Sequence, residues 1–138
     1  MYSIASAKPM ELSYSSIGET LGRDKVWVMR FLSNVEKTEV IKRVYPCGEG
    51  LKQFRKEAKY YLPFPYRYSL CTALNKTPFI GTLREEFFVN HIDCRYLKTS
   101  PHSPTADFIA KEFVFEVGGA SKSTRQDADY IVTDGLDT

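Results

Sequence analysis

Residues 113–122 read Phe113-Val114-Phe115-Glu116-Val117-Gly118-Gly119-Ala120-Ser121-Lys122, and this stretch indicates the type of fold. Four of its first five residues are apolar, which predicts a short buried strand that ends at the glycine pair. Glu116 interrupts the apolar run, and a buried carboxylate is costly unless it is paired, protonated or bound to a metal. Asp107 lies in the apolar segment just upstream. Two carboxylates on neighbouring strands, with Lys122 nearby, are what a Mg²⁺-dependent site for phosphodiester cleavage requires. The same residues are also expected in a vestigial site that has lost this activity.

The composition is that of a folded chain with an uneven charge distribution. The 138 residues suffice for one ordinary domain or two very small ones, and 43% hydrophobic and 14% aromatic residues can form a core. The net charge is +2, but residues 1–70 carry 12 Lys and Arg against 7 Asp and Glu, whereas residues 71–138 carry 7 against 10. The basic half therefore suits a polyanion and the acidic half suits cations.

The cysteines and the hydropathy pattern suggest where the chain works. Cys47, Cys71 and Cys94 are far apart and have no zinc-ligand spacing. Their odd number and the lack of a signal-peptide pattern predict a reducing, cytoplasmic location. No apolar run approaches the roughly 20 residues of a membrane span, so no membrane partner is expected.

The first 62 residues have the pattern of a winged helix-turn-helix. A helical segment from Met10 to Leu21 is followed by a second helix from Lys25 to about Lys37, for which Asp24 is the expected N-cap. Apolar residues at helical spacing predict its buried stripe, namely Val28, Phe31, Leu32 and Val35. Trp27 flanks this stripe, which predicts a place in the core or between domains.

Basic residues on this helix and on the hairpin after it form the expected nucleic-acid contact surface. Strands at Glu39–Tyr45 and Lys59–Leu62 flank a glycine-containing turn, and such a wing can reach phosphates while the helix reads a groove. Arg30 and Asn34 are the best candidates for base edges. The full predicted set is Arg23, Arg30, Asn34, Lys37, Lys52, Arg55, Lys56 and Lys59. Two alternatives stay open, a solvated helix face without a ligand and a winged helix that docks proteins.

Residues 63–138 read as a second domain of mixed α/β type. Pro63-Phe64-Pro65 marks the boundary, and helices are expected at Tyr66–Leu74 and Ile80–Ile92. Short strands and one more helix complete the prediction: strands at Cys94–Lys98, Thr105–Ala110, Glu112–Val117 and Tyr130–Thr133, and a helix at Ser121–Asp127. This order predicts a mixed sheet with flanking helices.

Four stretches resemble the C-terminal region of a family of AAA-type ATPases common in archaea. They are Lys59-Tyr60-Tyr61-Leu62-Pro63, Leu83-Arg84-Glu85-Glu86-Phe87-Phe88-Val89-Asn90-His91, Ala106-Asp107-Phe108 and Phe115-Glu116-Val117-Gly118-Gly119. The resemblance covers residues 10–138 and implies a winged helix followed by a domain similar to PD-(D/E)xK (restriction-endonuclease-like) nucleases. It also implies an ATPase domain that this sequence lacks, so the chain looks like a C-terminal fragment or a relative without a motor, and its sheet is expected to lack a final strand.

The resemblance assigns roles to the acidic residues. Glu85 would match the helix glutamate of the nuclease-like domain, Asp107 the aspartate of its second strand, and Glu116 the glutamate of its third, with Asp107 and Glu116 as candidate Mg²⁺ ligands. The family pattern places a lysine two residues after the glutamate, where this chain has Gly118. Lys122 is the candidate to take its place. The alternative is a vestigial acidic cluster paired with Arg84, Arg95 or Arg125.

These patterns together predict a non-motor DNA-binding or docking module with an inactive nuclease-like domain. A Mg²⁺-dependent endonuclease and a protein-docking domain are the alternatives. The segment from Gly118 to Lys122 lacks the glycine that precedes the lysine of a P-loop, so no ATP is expected on this chain. The glycine pair is instead expected to provide a strand exit with positive φ.

Overall fold

The computed structural model describes residues 13–48, 58–98, 105–119 and 127–135. Within these residues the fold is α+β, with four helices and two small sheets. The helices are α1 (Tyr14–Leu21), α2 (Lys25–Lys37), α3 (Phe64–Ala73) and α4 (Ile80–His91). The strands are β1 (Lys42–Val44), β2 (Lys59–Tyr61), β3 (Arg95–Tyr96), β4 (Phe108–Ala110), β5 (Phe113–Val117) and β6 (Tyr130–Val132). Most of the helix predicted at Ser121–Asp127 lies outside the described residues.

Helices α1 and α2 are joined by a tight turn that glycines make possible. Gly22 ends α1 in the left-handed region, with φ of 62°, and the Arg23 amide donates to the Gly18 carbonyl at 2.8 Å. A β-carbon on residue 18 would lie 2.4 Å from the Arg23 carbonyl oxygen, so this close approach requires glycine. Asp24 then caps α2, as predicted, since its Oδ1 accepts from the Trp27 amide at 2.8 Å.

One hydrophobic cluster joins the two helices to one face of the β1–β2 pair. Its buried members are Val28, Leu32, Ile41, Ala58, Tyr60 and Leu62, and Val35 packs against them. Phe31, predicted to belong to the buried stripe, is instead 44% exposed. Helix geometry explains the difference, because Val28 and Leu32 already face the cluster and Phe31 falls at the edge of that stripe.

The antiparallel pair of β1 and β2 is shared between this cluster and a second one. Side chains alternate along a strand, so Tyr60 packs against the helices while Tyr61 faces the other way. Tyr61 and Val44 are buried in the second cluster with α4 and the four-stranded sheet. Beyond β1, the Cys47 amide donates to the Tyr96 carbonyl at 2.8 Å, which ties this two-stranded sheet to β3.

The second sheet has the order β3-β4-β5-β6. Its first three strands are antiparallel and β6 runs parallel to β5, so the sheet is mixed, as predicted. Helix α4 covers one face, where the Phe88 ring lies 5.3 Å from Phe108 and 5.2 Å from Phe115 between ring centroids. This sheet and α4 hold the residues of the predicted carboxylate cluster.

The glycine pair after β5 serves a different purpose from the one expected. Positive φ occurs at Gly22 and Gly135 among the described glycines, and the prediction for the Gly118–Gly119 exit was wrong. A β-carbon on residue 119 would lie 2.7 Å from Arg84 Nη1. Glycine at this position is therefore explained by the guanidinium that lies against the backbone.

The cysteines relate to the expected reducing location, and the helix lengths relate to the expected lack of a membrane partner. Cys47, Cys71 and Cys94 are free thiols, and burial raises the pKa of Cys94 to about 11. Within the described parts of the chain, none of the helices has the length and apolar character needed to traverse a bilayer.

Candidate nucleic-acid interface and carboxylate cluster

The outer face of α2 carries four of the predicted contact residues. Arg23 directly precedes Asp24, the N-cap of α2. Arg30, Asn34 and Lys37 lie along the same side of the helix. All four are exposed. The helix contains one acidic residue, Glu36, and its carboxylate pairs with Arg43 on β1 at 2.7 Å. The outer face of α2 is therefore positively charged.

Two aromatic side chains adjoin this basic face. Trp27 is 40% exposed, so it does not lie in the core, which was one of the two places predicted for it. Its ring is stacked on that of Phe31, one helical turn further on, with centroids 5.2 Å apart and planes 5° from parallel. The Arg23 guanidinium lies 5.4 Å from the centre of the Trp27 ring. We call Trp27 and Phe31 the aromatic pair.

The predicted wing residues are described only in part. Lys52, Arg55 and Lys56 lie outside the described residues. Lys59, at the start of β2, places its Nζ 4.8 Å from the centre of the Tyr96 ring. This lysine thus contacts the second sheet, and β2 pairs antiparallel with β1.

Glu85 on α4 contacts the buried phenol of Tyr61. The Tyr61 hydroxyl donates to Glu85 Oε2 on α4 at 3.1 Å. Burial raises the pKa of Tyr61 most, and the charge and hydrogen bond of Glu85 raise it further, with smaller contributions from Cys94 and Asp107. Glu85 is thus hydrogen-bonded to this hydroxyl, and Asp107 lies in the bend that directly precedes β4.

Asp107 also lies beside Glu116. Its backbone amide donates to the Phe115 carbonyl at 3.1 Å, and its Oδ2 accepts from the Val117 amide at 2.9 Å. These two hydrogen bonds flank Glu116, which is 2% exposed. Phe115 and Val117 face α4, so strand alternation places Glu116 on the opposite face of the sheet.

The structure describes only some of the residues predicted to supply positive charge or to bind a metal ion. Lys122 and Arg125 lie outside the described residues, and Arg95 is exposed on β3. Arg84 pairs with Asp134, whose Oδ2 accepts from Nε at 2.7 Å and lies 2.7 Å from Nη2. Across residues 13–48, 58–98, 105–119 and 127–135, no three His, Cys, Asp or Glu side chains are grouped so as to hold a metal ion.

Comparison with known proteins gives a distant relative. An uncharacterized protein of Methanocaldococcus jannaschii is 29% identical over 141 aligned residues, which cover 91% of this chain. The chain spans 30% of the length of that relative. No family model matches the chain, and no solved structure matches it significantly.

Sequence reasoning missed a buried ion pair that involves α4, the helix that carries Glu85. Glu86 is fully buried, and its Oε1 accepts from Arg67 Nε at 2.8 Å and from the Leu62 amide at 3.0 Å. Burial raises the pKa of Glu86, although Arg67 and the Leu62 amide oppose the increase. A signal was available, because Glu86 lies three residues from both Leu83 and Val89, which are buried on the same side of α4.

A largely apolar groove opens between α4 and the end of the mixed sheet. Its volume is about 410 Å³, and the ion pair of Arg84 with Asp134 forms part of its wall. Phe87 is 53% exposed here and contacts Phe64 edge to face. The apolar lining comprises Phe64, Ile80, Leu83, Phe87, Val117 and Val132.

Proposed function

We propose that this chain is a DNA-binding module that contacts nucleic acid through the outer face of α2. The observation that carries the proposal is the exposure of Arg23, Arg30, Asn34 and Lys37 along one side of a helix that begins directly after a tight helix–helix turn. Arginine and lysine on such a face bind phosphates, and Arg30 or Asn34 can form paired hydrogen bonds with base edges.

The order of elements supports a winged helix for the first half of the chain. Two helices, a short turn and an antiparallel pair of strands follow one another, and β1 and β2 flank the segment that holds Lys52, Arg55 and Lys56. In such a domain the second helix enters the major groove and the hairpin reaches the backbone. Helix α2 would therefore be the recognition helix.

The second half is proposed to be a nuclease-like domain that positions this module. A mixed sheet covered by a helix that carries Glu85 supports this assignment, together with the sequence resemblance. We also propose that the module works with an ATPase domain on the same or another chain. The greater length of the Methanocaldococcus jannaschii relative leaves room for such a domain.

A salt titration of DNA binding tests the main proposal. Neutralising phosphates releases counterions, so affinity for a labelled duplex is expected to fall steeply as salt rises. Arg30→Glu should reduce this affinity strongly, whereas Arg95→Glu, which makes the same charge change on exposed β3, should have little effect. Absence of binding at low salt, or equal losses in both variants, would refute the proposal.

Metal-dependent phosphodiester cleavage is a second candidate function. It is favoured by one arrangement, the two hydrogen bonds by which Asp107 pairs with Phe115 and Val117 on either side of Glu116. A Mg²⁺ or Mn²⁺ ion held by one or two of these carboxylates would activate water for attack on phosphorus. Incubation of the protein with DNA and Mn²⁺ tests this candidate, and cleavage that persists in Asp107→Asn would come from a contaminant.

A further inference from the structure

Within the described parts of the chain, Trp27 and Phe31 belong to neither hydrophobic cluster. Trp27 and Phe31 are 40% and 44% exposed, although α2 already contributes Val28 and Leu32 to the first hydrophobic cluster. Their rings lie nearly parallel at the helix surface. Large aromatic side chains in this position leave ring surface in contact with water, and such exposed ring surface is a recurrent feature of sites that bind flat ligands.

Positive and amide side chains adjoin the aromatic pair, next to the Asp24 carboxylate that caps α2 at the Trp27 amide. Arg23 lies 5.4 Å from the Trp27 ring centre, and Arg30 and Asn34 each follow an aromatic residue by three positions, which places them on the adjoining surface of the helix. Glu36, the acidic residue within α2, lies on another side and is paired with Arg43. A ligand for this surface therefore needs negative charge together with flat apolar rings.

We infer that the outer face of α2 binds unpaired nucleotides, with bases stacked on the aromatic pair and phosphates held by Arg23 and Arg30. This inference rests on the proposed nucleic-acid binding and names the form of nucleic acid that the face prefers. Bases in a duplex present their edges in the grooves, whereas bases of a single strand present their faces, and only faces can extend a stack of rings.

The stack ends differently at its two sides. A base can continue the stack at Phe31, whereas at the Trp27 end the Arg23 guanidinium already lies over the ring. Every base has a π face, so this mode tolerates many sequences, and Asn34 is the side chain placed to add a preference. Single-stranded DNA and single-stranded RNA share this chemistry, so the proposed ligand class includes both.

The chain contains a built-in reporter for this test. Trp27 is its single tryptophan, so the indole emission reports on one end of the aromatic pair. Addition of an oligothymidylate of roughly 15 nucleotides is expected to quench this emission and to bind more tightly than a duplex of the same length. An oligouridylate of equal length then distinguishes RNA from DNA as the preferred single strand.

Alanine variants separate stacking from charge, with binding followed through a labelled oligonucleotide. Trp27→Ala and Phe31→Ala should each weaken single-strand binding about tenfold or more while changing duplex binding little. Met29→Ala removes an equally exposed apolar side chain from another side of α2 and should leave both affinities unchanged. Arg30→Ala should weaken binding to both forms.

The outcomes distinguish this inference from the proposed function. Duplex binding that depends on Arg30, with no quenching of Trp27 by the single strand at saturation, would overturn the inference and leave the proposed function standing. Salt-independent binding, or none to either form, would overturn both. Tight binding of an apolar peptide at Trp27 in place of any oligonucleotide would likewise overturn both and assign the surface to protein docking.

Discussion

Tyr60 and Tyr61 are adjacent in β2, yet their rings are buried in two different hydrophobic clusters. The Tyr60 hydroxyl lies 3.0 Å from that of Tyr14 on α1, and the Tyr61 hydroxyl donates to Glu85 on α4. Strand β2 thus contributes one buried tyrosine to each of the two hydrophobic clusters. Replacing either phenol should reveal how much each half depends on it.

The two phenols should make the protein sensitive to alkaline pH. Burial raises the pKa of both above the ordinary value of 10.0, so the folded state keeps protons that the unfolded chain loses. Their contribution to stability is therefore complete below about pH 10 and is lost as the pH rises further. Urea unfolding at pH 8 to 11 should show this decline.

Tyr61→Phe is expected to reduce the loss of unfolding free energy that occurs at alkaline pH. At neutral pH the variant should lose about 1–3 kcal/mol of unfolding free energy, because Glu85 loses a donor. The deficit should shrink above pH 10, since the variant has no phenol at this position to ionise upon unfolding. The exposed Tyr68→Phe serves as control, and a deficit that stays constant with pH would contradict the prediction.

Removal of Arg67 should be among the most damaging single changes. Arg67→Met leaves the Glu86 carboxylate buried without its cation, and such losses cost about 3–5 kcal/mol. Arg67→Met combined with Glu86→Leu should recover much of this stability, because no buried charge is then left behind. Urea denaturation of the single and double variants gives the comparison.

The Arg67→Met deficit should also depend on pH. The folded pKa of Glu86 is already above its ordinary value of 4.5, and loss of Arg67 should raise it further. A raised carboxyl pKa gives stability that is present at low pH and lost as the pH rises through the folded value. The difference from the wild type should therefore shrink between pH 7 and pH 5, and a difference that grew would show that Glu86 is not the group responsible.

Gly119→Ala should act through Arg84. The new methyl group would displace the guanidinium, and the partly exposed pair with Asp134 is worth about 1 kcal/mol or less. In an Arg84→Ala background the same change should cost nothing, which a double-mutant cycle measures. Gly48→Ala is the matched control, because a β-carbon there meets no atom within 4 Å.

Gly18→Ala should be more costly, since the obstacle is backbone. The Arg23 carbonyl oxygen cannot move without opening the turn between α1 and α2. Overpacking of this kind costs about 1–3 kcal/mol, which exceeds the gain of about 1 kcal/mol in helix propensity. Thermal unfolding measures the effect, with Ser15→Ala on the exposed side of α1 as control.

The salt dependence of DNA binding should identify the phosphate contacts. Arg30→Ala and Lys37→Ala should each reduce the slope of log affinity against log salt by about 1 if each side chain binds a phosphate. Asn34→Ala should weaken binding without changing the slope, because it carries no charge. Unchanged slopes in all three variants would place the phosphate contacts elsewhere.

Sequence patterns predicted the order and type of the described elements well, because these depend on local features. The cap at Asp24, the break at Gly22 and the end of α4 near His91 all follow from short-range chemistry. Strand ends were predicted less well, and the segment Cys94–Lys98 contains only the two-residue strand β3. Strand pairing is set by partners distant in sequence, which a single stretch does not reveal.

The candidate sites were predictable only as far as the helical and strand periods allow. The period of α2 correctly placed Arg30 and Asn34 outward, but it could not decide whether Phe31 at the edge of the stripe is covered. Likewise the dipeptide Glu85-Glu86 does not tell which carboxylate turns inward. That choice depends on Arg67, which lies on another helix.

The guanidinium of Arg84, the bare backbone of Gly119 and the carboxylate of Asp134 occupy one small volume. Any lineage that acquires a side chain at position 119 would need a shorter residue at position 84, and Asp134 would then lose the cation that it now holds. These three positions are therefore expected to covary among homologous sequences, although they lie 35 and 15 residues apart along the chain.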